Sequence, residues 1–315
     1  MFVGECLFVF LCLLLSIVGI LIGVAFLVMI ERKLLGYIQD RKGPNKVMIL
    51  GIFQPFSDAV KLFVKEYIKL IKINLLMYFI SPMVGFFMSL MLLIGLPMKE
   101  NLFSMNLFLL YMMSCLSLGV YVIMMSGWAS NSNYSMLGGV RSVAQSLSYE
   151  VSMFLIFFMM FFYVEGFKLI DFFKFQEGML KFWYMNSMIF ILLFISMVAE
   201  LNRMPFDFIE GESELVSGFN IEYMSGGFTL IFLAEYMMIL ILGMLFYFMF
   251  IGGSMGLPMV FSVLLYSILL IWIRGCFPRL RYDSLMYFCW YYILSIVMLN
   301  LLGVVVFKYW LWLML

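Results

Sequence analysis

Histidine is absent from the 315 residues, and the five cysteines, Cys6, Cys12, Cys115, Cys276 and Cys289, fall singly on mostly apolar stretches with no C-x-x-C spacing. Haem ligation through histidine, zinc sites and cysteine-held iron–sulfur clusters therefore have little to build on, and no metal site is expected. Neither G-x-G-x-x-G behind a strand nor G-x-x-x-x-G-K-[ST] occurs, which removes both common nucleotide pockets. Charge is scarce too: 12% of residues, against roughly 25% in a soluble domain. The 19 basic and 18 acidic side chains nearly cancel, so no broad basic surface is available to hold nucleic acid.

What the chain has in abundance is apolar surface, with 66% hydrophobic and 19% aromatic residues, and a water-soluble fold is excluded. The 32 methionines and 36 phenylalanines exceed what packing asks for and fit an AT-rich coding sequence read with a Met-favouring code, as in animal mitochondria. The first apolar stretch follows Glu5 rather than Lys or Arg and leads straight into a charged loop, so it is expected to be a retained membrane helix, not a secretory signal.

Spans of roughly 20 apolar residues can be placed near 7–30, 75–97, 102–126, 142–164, 183–201, 227–251, 258–273 and 286–307. The expectation is a single all-α integral membrane domain over 1–315 with about eight transmembrane helices, no internal repeat and no soluble domain between spans. Counted from the N-terminus, the odd loops hold 14 of the 19 basic residues. The positive-inside rule then turns the odd loops to the matrix or cytoplasm and both termini to the opposite side.

The first odd loop is too long for a turn. Pro55 stands where a helix can begin, and Phe56, Ala59, Val60, Phe63, Val64 and Tyr67 follow at helical spacing, with Asp58, Lys61, Lys65 and Glu66 on the other face. That is an amphipathic helix at the interface or against neighbouring helices; its plainer role is to anchor the loop.

The densest polar segment runs from Glu200 to Glu222 and contains six carboxylates and one arginine. Glu200 and Arg203 lie three apart and would share a face and pair if the helix persisted, although Pro205 disfavours its continuation. Glu210, Glu212 and Glu214 alternate with small or polar residues and would project together from an extended chain. Carboxylates that close take up protons near neutral pH and suit storage or relay. The alternative is a solvated acidic loop, against which stand Phe206, Phe208, Ile209, Leu215, Val216 and Phe219.

Glu150 and Glu235 fall inside spans, where an ionised side chain costs about 2.5 to 3.5 kcal/mol or more, so each should be neutral, paired or facing a wet cavity. Ser142, Ser146 and Glu150 make a polar stripe every four residues, and Glu150 serves either a hydrated path or helix packing. Glu31, Arg32 and Lys33 open a basic turn that continues to Arg41, and R-G-C-F-P-R-L-R-Y-D runs from Arg274 through Arg279 to Asp283. These basic residues can simply snorkel and set orientation. By loop parity all three polar constellations converge on one membrane face.

Six segments resemble the signature stretches of the membrane quinone-site subunits of respiratory complex I, NADH:ubiquinone oxidoreductase. They are E-R-K-L-L-G-Y-I-Q-D-R-K-G-P-N from Glu31, Q-P-F-S-D-A-V-K-L-F-V-K-E from Gln54, G-W-A-S-N-S-N-Y from Gly127, A-Q-S-L-S-Y-E from Ala144, P-F-D-F-I-E-G-E-S-E-L-V-S-G-F-N-I-E-Y from Pro205 and P-R-L-R-Y-D from Pro278. They span almost the whole chain in the family's order. The resemblance implies a core subunit of the proton-pumping enzyme in the mitochondrial inner membrane, with ubiquinone as substrate and with FMN and iron–sulfur clusters only on partner subunits of the peripheral arm. It implies lipid contacts, neighbouring membrane-arm subunits as partners, no catalytic residue on this chain alone, and odd loops in the matrix. It assigns Glu31, Arg32, Arg41, Asp58, Arg274 and Arg279 to the quinone tunnel. It assigns Glu150, Glu200, Arg203, Asp207, Glu210, Glu212, Glu214 and Glu235 to coupling with proton translocation. A stand-alone proton or ion transporter is the alternative, weakened by the lack of paired repeats; a non-catalytic scaffold that recruits soluble partners is another.

Overall fold

The computed structural model describes every residue except 1, 67–71, 98–104, 177–180, 209–210, 212–217, 221, 254–255 and 315. Among the described residues the chain is helical and without strands. Helix α1 (Phe2–Ile38) is followed by the short α2 (Gln54–Val64), then α3 (Leu75–Gly95), α4 (Phe108–Ala129) and α5 (Asn133–Val164). Next come α6 (Leu169–Gln176), α7 (Phe182–Met185) and α8 (Ser187–Glu200). The chain closes with α9 (Ser225–Ile251), α10 (Leu257–Cys276) and α11 (Tyr282–Met314). The last five residues of α9 and Phe288–Ile293 in α11 are π-helical.

The all-α membrane architecture is the expected one. Among the described residues, seven helices are long and apolar enough to cross a bilayer: α1, α3, α4, α5, α9, α10 and α11. The expected fifth span over 183–201 differs. Asn186 leaves the helical region at φ −138° and ψ 69° and separates the four-residue α7 from the 14-residue α8. The Asn186 side-chain amide donates to the Tyr163 hydroxyl, while its backbone still bonds Phe182 O at 3.0 Å and accepts from Phe190 N–H at 3.1 Å. At 1.5 Å per residue α8 alone rises only about 21 Å, short of a hydrocarbon core of about 30 Å.

Helix α5 is the hub. Within the most apolar window of each helix, 56% of residues are buried in α5 against 11% in α1 and 17% in α11, so the outer two leave most of that stretch uncovered by the rest of the chain. Helices α3, α4 and α5 pack in sequence, α9 closes against α3, and α8 lies on α5. Small residues allow close approach between α4 and α5: a Cβ built on Gly127 would stand 3.0 Å from the Ser135 carbonyl oxygen and 3.2 Å from the Gly139 Cα. A second, smaller core fastens the segment before α9, where Tyr78 and Tyr223 stack at 4.3 Å with planes 2° apart and Ser81 meets the Tyr223 hydroxyl at 2.9 Å.

The amphipathic helix forms where the sequence places it, with Pro55 in its first turn. Asp58 faces α1 and the Phe56 ring meets Phe26 of α1 edge-on at 6.2 Å, whereas Val60, Phe63 and Val64 on the apolar stripe are exposed. Tyr67, the last residue of that stripe, lies outside the described residues.

Candidate functional site

Glu31 sits seven residues before the end of α1, where α1 meets α9, α10 and the turn that follows α8. Its side chain is only 6% exposed, and an isolated carboxylate could not remain charged there. Three groups from distant parts of the chain compensate. Arg203 Nη1 donates to both carboxylate oxygens at 3.1 and 3.4 Å, Arg274 Nη1 donates to Oε1, and the Tyr236 hydroxyl donates to Oε2. Arg203 also lies 4.3 Å above the Tyr236 ring centre, a cation–π contact that holds the guanidinium edge toward Glu31. Burial works against the Arg203 charge, but Tyr236, Glu31 and Glu235 outweigh it, so its pKa is raised and the guanidinium stays charged. Two guanidinium groups on one carboxylate leave this cluster with a net positive charge of about one before Glu235 and Asp207 are counted.

The cluster stands in the wall of a cavity of about 440 Å³, within the range of ligand sites. Arg32, Glu200, Asn202, Asp207, Glu235 and Arg274 line the same space at its polar end, and Ser146 joins them from α5. Gly85, Ser89 and Leu92 of α3 and Cys115 and Gly119 of α4 extend the wall into the apolar helix bundle. At the mouth Arg32 pairs with Asp58 of α2, which Gln54 Nε2 also holds at 3.1 Å. The Glu200 Oε2 atom is buried with no hydrogen-bond partner among the described residues. The arrangement offers hydrogen-bond donors for a neutral acceptor ligand and, beside them, carboxylates that can hold protons.

Sequence comparison bears on which molecules share this arrangement. The family model described as NADH dehydrogenase matches residues 11–305. The chain is 49% identical over 283 residues to NADH-ubiquinone oxidoreductase chain 1 of Aedes aegypti, covering 88% of each chain. The protein of the same name from Anopheles gambiae is 50% identical over 278 residues, again with 88% of each chain covered, and that of Apis mellifera ligustica is 46% identical over 291 residues, covering 92% and 94%. The chain belongs to the NADH dehydrogenase family.

Within this NADH dehydrogenase family member, the expected site residues separate into those that meet and those that do not. Glu31, Arg203, Arg274, Arg32, Glu200, Asp207 and Glu235 share the cavity, with Asp58 behind Arg32. Glu150 lies one turn beyond Ser146 and outside the lining, near enough for its charge to act on Glu200. Arg41 stands on the exposed turn after α1, bonded to Gln39 at 2.9 Å, and does not reach the cavity. Arg279 packs 5.1 Å from the Phe208 ring centre and against Gly211, at the edge of the acidic loop. Glu210, Glu212 and Glu214 lie outside the described residues.

One expected pairing is replaced. Helix α8 ends at Glu200, Asn202 adopts φ 51°, and Arg203 swings to Glu31 across 172 residues instead of back to Glu200. Tyr236 is the functional group that spacing did not reveal: one tyrosine on an apolar helix carries no signal until α1 is placed against α9. Its adjacency to Glu235 was the only clue. Ser142 and Ser146 hydrogen-bond carbonyls of their own helix, so the serine stripe satisfies itself within α5 as well as facing inward.

Proposed function

We propose that the cavity with its Glu31–Arg203–Arg274–Tyr236 cluster is this chain's share of the approach path for ubiquinone, and that the carboxylates beside it transmit quinone reduction to proton translocation. The observation that carries this reading is one continuous cavity whose wall holds a charge-compensated carboxylate at one point and Glu200, Asp207 and Glu235 at others. Membership in the family makes the chain a subunit of NADH-ubiquinone oxidoreductase, a respiratory-chain enzyme of the mitochondrial inner membrane.

A quinone headgroup presents two carbonyl acceptors, and Arg203 and Arg274 keep guanidinium N–H groups beyond those given to Glu31, while the Tyr236 hydroxyl spends its proton on Glu31 and holds that carboxylate in place. Reduction to the quinol takes two electrons and two protons. Electrons arriving on the quinone give it negative charge, protonated carboxylates beside it release the two protons that complete the quinol, and reprotonation of those carboxylates from the membrane interior is the coupling step. The electrons come from flavin and iron–sulfur centres on partner subunits of the peripheral arm, because this sequence has no ligand pattern to hold them. Residues Glu31, Arg32, Asp58, Arg274 and, further out, Arg41 and Arg279 serve quinone approach. Glu150, Glu200, Arg203, Asp207, Glu235 and the loop carboxylates Glu210, Glu212 and Glu214 serve coupling. With α7 and α8 together counted as one interrupted crossing beside the seven long helices, eight crossings put both termini on one side, and the excess of basic residues in the odd loops turns those loops to the matrix and the termini to the intermembrane space.

The test joins two measurements on gently solubilised membranes. In native gels with mass spectrometry the chain is expected in a large assembly with flavin and iron–sulfur subunits, and a photoreactive ubiquinone analogue is expected to label α1 near Glu31 or the 203–207 turn. Migration as a small homo-oligomer would favour a stand-alone proton transporter. An assembled chain that is never labelled would favour a scaffold.

A further inference from the structure

The turn that carries Arg203 has no regular secondary structure to hold it, yet its geometry decides whether the guanidinium reaches Glu31. Between the end of α8 and Phe208 its own backbone supplies Leu201 N–H to Met197 O at 3.1 Å, Asn202 N–H to Ala199 O at 3.2 Å, Phe206 N–H to Arg203 O at 2.8 Å and Phe208 N–H to Phe206 O at 3.1 Å, and from outside the turn Leu280 N–H reaches the Pro205 carbonyl at 3.1 Å. One side chain from another helix closes it at both ends. Gln145 of α5 is fully buried, and its Nε2 donates to the carbonyls of Ala199 and Phe206, each at 2.9 Å. Both acceptors are carbonyl oxygens, so the amide nitrogen must face them and the orientation of the group is fixed. Its Oε1 then points into the packed interior without a hydrogen-bond partner among the described residues. A buried, unpaired acceptor is costly, whereas a residue that only filled volume could be apolar.

We infer that Gln145 is a positioning residue for the site: it staples both ends of the 199–206 turn to α5, and thereby holds Arg203 against Glu31 and keeps Glu200 at the cavity wall. The inference rests on the proposed quinone reading of that wall, but not on which proton route leaves it. Gln145 also links the helix that carries Ser146 and Glu150 to the turn that carries Glu200, Arg203 and Asp207. A shift on either side is passed to the other through two hydrogen bonds. No other described side chain bonds both ends of this turn.

The test uses the assembled enzyme carrying Gln145→Met, which keeps the side chain's length and volume but removes both donors, and Gln145→Glu, which places oxygens against the two carbonyls. Steady-state ubiquinone reduction is normalised to assembled complex measured by quantitative mass spectrometry. The expected result is a fall in kcat/KM for a short-chain ubiquinone of between about tenfold and about a hundredfold, the scale on which a misplaced positioning group acts. The loss should be larger for Gln145→Glu than for Gln145→Met and should fall on KM as well as kcat. A merely structural amide would lower the amount of assembled complex and leave kcat and KM per complex unchanged, and that outcome overturns the inference. Should the Glu variant not assemble, Gln145→Met decides alone. Arg203→Gln is measured in parallel. If it is impaired while both Gln145 variants match the unmodified enzyme, only the positioning role fails. If Arg203→Gln is itself unimpaired, the reading of the cavity fails.

Discussion

Two ion pairs near the mouth of the cavity look alike on paper and differ in energetic standing. Arg32 and Asp58 are 46% and 26% exposed, whereas Glu31 is 6% exposed and Arg203 17%. Water screens the first pair, and removing one partner should cost under about 1 kcal/mol. Glu31→Gln would leave two guanidinium groups on a neutral amide in a buried setting, a loss of about 3 to 5 kcal/mol. Thermal unfolding of the solubilised complex should therefore show a clear drop for Glu31→Gln and little for Asp58→Asn; equal shifts would mean that the cluster is hydrated like a surface. These residues were legible from sequence as individuals, since Glu31, Arg203 and Arg274 all stand in polar stretches of an apolar chain. Their meeting was not. Helical spacing offers Glu200 as the partner for Arg203, and only the end of α8 with the left-handed Asn202 sends the guanidinium to α1 instead.

At the level of helices, small residues and end contacts explain what hydropathy does not. Gly127→Val should disrupt the α4–α5 crossing, because the added carbons meet the Ser135 carbonyl and Gly139 backbone, neither of which can rotate aside. Overpacking of this kind costs about 1 to 3 kcal/mol. Gly303→Ala on α11, with nothing within 4 Å, should be neutral or slightly stabilising; the amount of assembled subunit in membranes separates the two. The opposite end of α5 is tied to α11 by the Lys308 ammonium on Glu165 at 2.5 Å. The hydrogen bond and charge of Lys308 hold the Glu165 carboxyl below its ordinary value of 4.5. Whatever this pair contributes is therefore present above pH 4.5 and disappears as pH falls through the lowered value. Glu165 is well exposed, so Glu165→Gln should leave the melting temperature at neutral pH unchanged within error; a marked drop there would show that the pair is buried by a partner. Hydropathy located the long helices and the amphipathic α2. It overlooked the break at Asn186, because one asparagine barely lowers the mean of a 19-residue window.

For the molecule as a whole, charged residues from the ends of α1, α8 and α10 and from the turn after α8 meet at one cavity, which runs inward between α3, α4 and α9. The family motifs announced that gathering in the sequence. The depth of the cavity, the Tyr236 hydroxyl and the Gln145 clamp depend on how helices pack, which no local pattern encodes. If quinone chemistry drives proton movement through these groups, Glu200 is where the two meet: it lines the cavity and lies within electrostatic reach of Glu150 on the hub helix. The decisive measurement is the number of protons translocated per ubiquinone reduced in vesicles containing the Glu200→Gln enzyme. The expected result is quinone reduction with a sharply lowered proton yield, or both activities lost together. Full quinone reduction with full proton translocation would contradict the account.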